Sequence, residues 1–395
     1  MASDSLPKRI FSQANIYTTI CLLFLIRHEL FGSFSFVGRG LYVLYYLLTL
    51  LYFFRAITEF RIPKCLKILG VFFALVFIYG MVLTLQGANE LGPYFITIHL
   101  ESILPVFSFY YFAKKGQIDE NWFRRVALLF FITAYIIFNA SEMDSLERFG
   151  ADEVVNGTAY EWLALMPMMV FFRKKPVIQY IGIAIILFFV LSGFKRGAIL
   201  LGAICFLVFL WSSLSSQKNS RRIIIVLLTG VLFYFLMQYL DNMMAASDLF
   251  KNRIDDTMDW NSSDRDVIYS KFWDYYWNQT SGIAFFFGNG ALATVTKLGI
   301  MAHNDWLEYL IDMGLFGTIV YLILWISFIK MSVKSARICS RDVFMGILLI
   351  LIINFGKTFF SMSLSYMSFY ITSLFGYLIA QFDNNLNAIK IYEKN

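Results

Sequence analysis

The chain has 395 residues, of which 59% are hydrophobic and only 15% charged, with a mean hydropathy of +0.64. A water-soluble domain is closer to half apolar and a quarter charged, so that class is excluded, and the apolar excess must face lipid. The formal net charge of +6 comes from short basic clusters between apolar runs, which read as topology signals, with no nucleic-acid patch among them.

A hydrocarbon core about 30 Å thick needs roughly 20 apolar residues per helix. Such runs fall at 14–31, 41–54, 66–86, 93–113, 122–140, 158–172, 177–193, 197–215, 222–240, 304–329, 342–359 and 365–382. The fold expected is an all-α polytopic membrane protein with about twelve transmembrane helices. Runs two and six are short, and 342–382 can also be divided around Lys357 and Ser361. With the N-terminus in the cytoplasm, about two-thirds of the 33 Lys and Arg fall on the inside, among them Lys64, Lys114, Arg173 and Lys330. Both termini are then cytoplasmic. The opening MASDSLPKRI lacks the pattern of a removable signal peptide. Cys21, Cys65, Cys205 and Cys339 are far apart, and no disulfide is expected.

Two exterior segments exceed a turn, 141–157 and 241–303. The second carries Trp260, Phe272, Trp273, Tyr275, Tyr276, Trp277 and Phe285 to Phe287. At helical spacing these rings make an amphipathic stretch, and a small folded subdomain against the membrane surface is expected. The organisation is therefore 1–240 with nine spans, 241–303 as the exterior unit, and 304–395 with three spans and a cytoplasmic tail.

Three clusters carry chemistry. In Ser192-Gly193-Phe194-Lys195-Arg196-Gly197 two adjacent cations sit between apolar runs on the outer face. Charge is costly that close to hydrocarbon, so an anion such as a lipid diphosphate is one reading, and a turn snorkelling to headgroups the other. In the exterior loop, Asp264-Arg265-Asp266 reads on its own as a solvated or salt-bridged group. His303 opens the tenth span, is one of only three histidines, and stands five residues before Glu308. Imidazole can take a proton near neutral pH, and a lone His at a helix start can equally be a cap. Asp255-Asp256-Thr257-Met258-Asp259 has a spacing used for magnesium diphosphate, which carboxylates at a helix start explain as well. Gly288-Asn289-Gly290 reads as a tight turn able to turn backbone N–H groups to an anion. No metal ligand set and no cofactor are assigned.

Taken in order, these pieces resemble the O-antigen polymerase and ligase superfamily of bacterial membrane glycosyltransferases. Arg148-Phe149-Gly150 followed by Asn156 is similar to that family's Arg–Gly–Asn stretch, and Ser192 to Gly197 to its Ser-x-x-x-Arg-Gly turn. Arg265, Gly288 and Gly290 fall in the large periplasmic loop, and Ala302-His303-Asn304 with Gly314 and Gly317 follows. Lys195 stands where small polar residues are usual, and Asp312 where Glu is commoner. The resemblance implies a GT-C-like architecture in the bacterial inner membrane. It also implies chemistry on undecaprenyl-diphosphate-linked oligosaccharides at the periplasmic face, without a cofactor or metal. Arg196 and Arg265 would hold the diphosphate and His303 would serve the acceptor hydroxyl. Lys195, Arg148, Asn156, Asn304, Glu308 and Gly290 would line the substrate. Implied partners are the lipid-linked substrates, membrane lipids, a chain-length regulator and a flippase. A repeat-unit polymerase is the leading reading and an O-antigen ligase the nearest rival. A lipid-linked glycan transporter is disfavoured, because the spans carry almost no charge and the cations gather at one face.

Overall fold

A computed structural model describes residues 12–32, 35–88, 90–149, 157–216, 219–246 and 265–392. In chain order the helices are α1 (Gln13–Leu25), α2 (Arg27–Phe31), α3 (Phe36–Glu59), α4 (Lys64–Leu85), α5 (Leu91–Lys114) and α6 (Glu120–Phe149). Next come α7 (Ala159–Leu163), a 3₁₀ stretch (Met166–Phe172), α8 (Pro176–Ser192), α9 (Arg196–Ser216) and α10 (Asn219–Ala246). After 264 follow α11 (Arg265–Asp274), a π turn (Tyr275–Gln279), α12 (Gly282–Phe287), α13 (Ala293–Leu298), α14 (Asp305–Ile338), α15 (Arg341–Phe360) and α16 (Phe369–Tyr392). No strand occurs among the described residues.

Eight of the described helices are long and apolar enough to cross a membrane, and three shorter apolar helices lie at α1, 159–172 and α8. The chain is an all-α, multi-pass membrane protein. Ten of the twelve expected runs each fall on a single helix, and the first is divided at Ile26 between α1 and α2. The second run lengthens to α3, because Arg39 and Arg55 sit at the ends of the helix rather than outside it. The sixth is not one helix: Pro167 is the second residue of the Met166–Phe172 stretch, where the chain tightens into 3₁₀ geometry. The last two divide at Ser361, where α15 ends, and an unwound segment leads to α16.

Short polar residues start these helices. Ser12, Ser35 and Ser340 each accept a backbone N–H from three residues on, which satisfies a donor that the helix leaves open. At the centre stands α5, with Leu104, Phe107, Phe109 and Tyr110 wholly enclosed. It packs closely on α16 because Gly376 is small: a Cβ there would lie 2.3 Å from the Val106 carbonyl oxygen. The outer helices instead display Leu128, Leu207, Ile223 and Phe233. Apolar exposure on this scale fits a bilayer, not water.

Polar contacts separate into two ends of the bundle. At one, Lys115 pairs with Glu59 (2.7 Å), Lys114 with Asp383 (2.8 Å) and Arg173 with Asp342 (3.1 Å). At the other, the Tyr94 and Tyr366 hydroxyls meet (2.6 Å), Tyr269 donates to the Phe359 carbonyl (3.2 Å), and Tyr79 donates to the Phe287 carbonyl. The basic loops of the sequence gather at the first end, and the Ser192–Gly197 turn, α11 and His303 at the second.

Candidate active site

Two apolar helices, α8 and α9, meet at the Ser192–Gly197 turn with only three residues between them. The reversal is made by Phe194, in the left-handed region at φ 51°. The Lys195 carbonyl then accepts the first N–H groups of α9, from Ala198 and Ile199, so Lys195 and Arg196 stand at its N-terminus, where the helix dipole favours an anion. Ser192 is tied to Tyr239 of α10 by a 2.8 Å hydroxyl contact. Tyr160 packs against the turn so closely that a Cβ on Gly197 would lie 2.3 Å from its hydroxyl. The Lys357 ammonium lies 5.0 Å from the centroid of the Tyr160 ring and donates to the Tyr366 carbonyl at 2.7 Å.

His303 is placed by a second construction. The residue itself is left-handed, at φ 51°, a conformation that costs a non-glycine residue about 1–2 kcal/mol and therefore needs fixing from both sides. Behind it, the buried Glu308 carboxyl accepts the Ala302 N–H and the Thr294 hydroxyl. Ahead of it, the Asn304 side chain caps α14 by accepting from Trp306 (2.9 Å) and Leu307 (3.3 Å). Asp312 accepts from Leu292 N (3.0 Å) and Thr294 N (3.4 Å), holding the base of the same loop.

The loop is keyed into α14 at a break. Gly314 has φ 66° and ψ −166° inside that helix, which takes Ile311 and Asp312 out of the regular backbone pattern. Their carbonyls are satisfied by Asn289 N (2.8 Å) and Gly290 N (3.0 Å) of the incoming turn. Gly288 and Gly314 are in backbone contact, and a Cβ on Gly314 would stand 2.4 Å from Gly288 N.

Arg265 begins α11, whose Phe272 is buried with Ala293, Ala302 and Ile311 in a small core of its own. That core seats α11 on the His303 loop. The His303 imidazole has its pKa lowered by partial removal from water, then by the charges of Lys195 and Arg265, so at neutral pH it is an uncharged base. Arg265 also acts electrostatically on Tyr160, and Lys195 on Lys357. Four elements distant in sequence thus share one electropositive neighbourhood with a neutral imidazole. Beside Asn304 opens a pocket of about 390 Å³ walled by Tyr269, Trp273, Trp306 and Phe359.

Residues 181–322 match a protein-family model described as O-antigen ligase. The match, over about a third of the chain, supports the O-antigen polymerase and ligase superfamily that the order of the motifs resembles. The matched segment runs from α8 into α14 and contains Lys195, Arg196, Arg265, Gly290, His303, Asn304 and Glu308. No curated protein matches the sequence.

Of the residues that the sequence singles out, Lys195, Arg265 and His303 come together, with Arg196 partly enclosed at the head of α9. Gly290, Asn304 and Glu308 spend their polar groups on the chain itself: Gly290 on α14, Asn304 as a cap, Glu308 on the loop. Glu308 is 2% exposed. Arg148 lies in the last turn of α6, and Asn156 and 255–259 lie outside the described residues. Among the described residues, no three His, Cys, Asp or Glu side chains group to hold a metal ion. Tyr160, Lys357 and Asp305 were not anticipated. Asp305 is fully buried and accepts from Ser363 N (2.9 Å), Leu364 N (3.3 Å) and the Tyr321 hydroxyl (2.6 Å), which fixes the unwound segment after α15. For Lys357 a signal existed: an ionisable residue within an apolar run is a functional-site candidate in its own right.

Proposed function

We propose that this protein polymerises oligosaccharide repeat units carried on undecaprenyl diphosphate, at the periplasmic face of the inner membrane. The observation that carries the reading is the meeting of Lys195, Arg265 and a neutral His303 at one end of a membrane bundle. In this reaction the diphosphate leaves an anomeric carbon and gathers negative charge. Lys195, Arg196 and Arg265, with the α9 N-terminus, would bind that charge more strongly as it develops. The acceptor is a sugar hydroxyl, a weak nucleophile unless a base shares its proton, and the His303 imidazole is the base at hand. The aromatic walls beside Asn304 suit the apolar face of an acceptor sugar. The opposite end, rich in Lys and Arg, would face the cytoplasm, with both termini there.

A second reading, ligation of a finished glycan to lipid A–core, is favoured by the match to an O-antigen ligase family. The two separate on a gel of surface glycans from a host lacking this protein. Lipid-anchored glycan with a single repeat and no ladder supports polymerisation. Polymer retained on undecaprenyl diphosphate, with none on the anchor, supports ligation. An unchanged ladder removes both. Complementation with Arg196→Ala, Arg265→Ala or His303→Ala, each checked for normal membrane levels, tests the site, and full activity in all three refutes it.

A further inference from the structure

At the end of the bundle opposite His303, α4, α14 and α16 enclose a groove of about 680 Å³. Its rim carries Arg61, Lys64, Lys67, Lys330 and Lys334, all exposed. None of the five forms an ion pair or side-chain hydrogen bond with another described residue. The carboxyl in the groove, Asp383, is already bound by Lys114 at 2.8 Å and by the Tyr110 hydroxyl at 3.0 Å. Five positive charges therefore line one groove with no carboxylate among the described residues paired to them. Elsewhere at this end, Lys115, Arg124, Arg173 and Arg341 each have a partner.

The walls change character along the helix axis. On α14, Ile323, Ile326, Lys330 and Lys334 follow at spacings of three and four, one stripe that runs from apolar to cationic. On α4, Ile68 lies one turn inward from Lys64. The two helices meet where the Cys65 thiol lies 3.6 Å from the Met331 sulfur, which closes the floor. A molecule matching this gradient has a phosphate at one end and hydrocarbon at the other. A signal that only orients a helix needs cations and no groove.

We infer that this groove binds an anionic phospholipid of the surrounding leaflet, phosphate among Lys64, Lys67, Lys330 and Lys334, acyl chain along Ile323 and Ile326. Basic clefts between helices at a membrane boundary recognise anionic headgroups by this combination. The site is separate from the His303 end and does not rest on the proposed glycosyl transfer.

The test is native mass spectrometry of the purified full chain in detergent, titrated with phosphatidylglycerol or phosphatidylcholine. Phosphatidylglycerol should bind preferentially, and Lys64→Gln, Lys67→Gln, Lys330→Gln and Lys334→Gln together should weaken it about tenfold or more. The same charge removed at Arg125, Lys174, Lys175 and Arg222 should leave binding unchanged. The Lys330→Gln, Lys334→Gln pair, both exposed on one helix, gives a milder variant should the fourfold one fold poorly, and should lose binding in the same direction. Equal binding of phosphatidylcholine, an equal loss in the control variant, or displacement by millimolar inorganic phosphate would each overturn the inference.

Discussion

Glu308 gives the sharpest test of how His303 is held. Its side chain is 2% exposed, and its carboxyl receives the Ala302 N–H and the Thr294 hydroxyl. Glu308→Ala leaves both donors buried without a partner, at about 1–3 kcal/mol each, so the loss is about 2–6 kcal/mol. Against a total stability of about 5–15 kcal/mol this is a large fraction. Glu308→Gln keeps one acceptor oxygen and should lose about half as much. Thermal melting of the purified protein in detergent should rank wild type above Gln above Ala. Glycan polymerisation should follow the same order, because Ala302 adjoins His303 and the anchor holds that residue in its left-handed conformation. If Glu308→Ala melts like the wild type while activity is lost, Glu308 acts on substrate directly and the positioning argument fails. If both are unchanged, the hydrogen bonds carry no weight.

Three further outcomes are expected. Gly288→Ala places a Cβ 2.1 Å from the Asp312 carbonyl oxygen at φ +82°, and should destabilise the protein by about 2–5 kcal/mol; a melting point within a degree of wild type would contradict the packing of the loop into α14. Because burial, Lys195 and Arg265 lower the pKa of His303, the neutral base is lost only as pH falls below about 6.5. The acid limb of kcat/KM, which reports the free enzyme, should lie there and move to higher pH in Lys195→Gln, since removing a neighbouring cation raises the imidazole pKa; a limb that stays in place or moves down contradicts it. In a cysteine-free background, a cysteine at exposed Lys297 should react with an impermeant thiol reagent in intact spheroplasts and one at exposed Lys334 should not; the reverse pattern would invert the topology.

Most of the architecture is legible in the sequence because lipid imposes a simple rule: a long apolar run bounded by charge has few places to go. The legibility weakens where that rule does. The 158–172 run is apolar apart from Thr158 and Glu161, yet Pro167 prevents a single helix. The site divides in the same way. His303 and Arg196 can be found because histidine is scarce here and because paired cations beside hydrocarbon need a reason. The partnership of Tyr160 with Gly197, or of Asp305 with Ser363, spans tens of residues and depends on how helices are arranged around one another. A single sequence carries no record of that arrangement. The roles of Asn304 and Glu308 were open for a related reason: a polar side chain beside a helix start serves substrate or backbone equally well until its partners are seen.

The break at Gly314 has a consequence in length. The whole of α14, 34 residues, would measure about 51 Å if straight, far beyond a hydrocarbon core of about 30 Å. The part after Gly314 measures about 36 Å and is enough to cross by itself. The nine residues before the bend are therefore surplus to the crossing, and they hold Asp305, Glu308 and Asp312. The helix behaves as a post with a bracket: the post passes through the lipid, and the bracket, bearing the acidic side chains, supports the His303 loop at the rim.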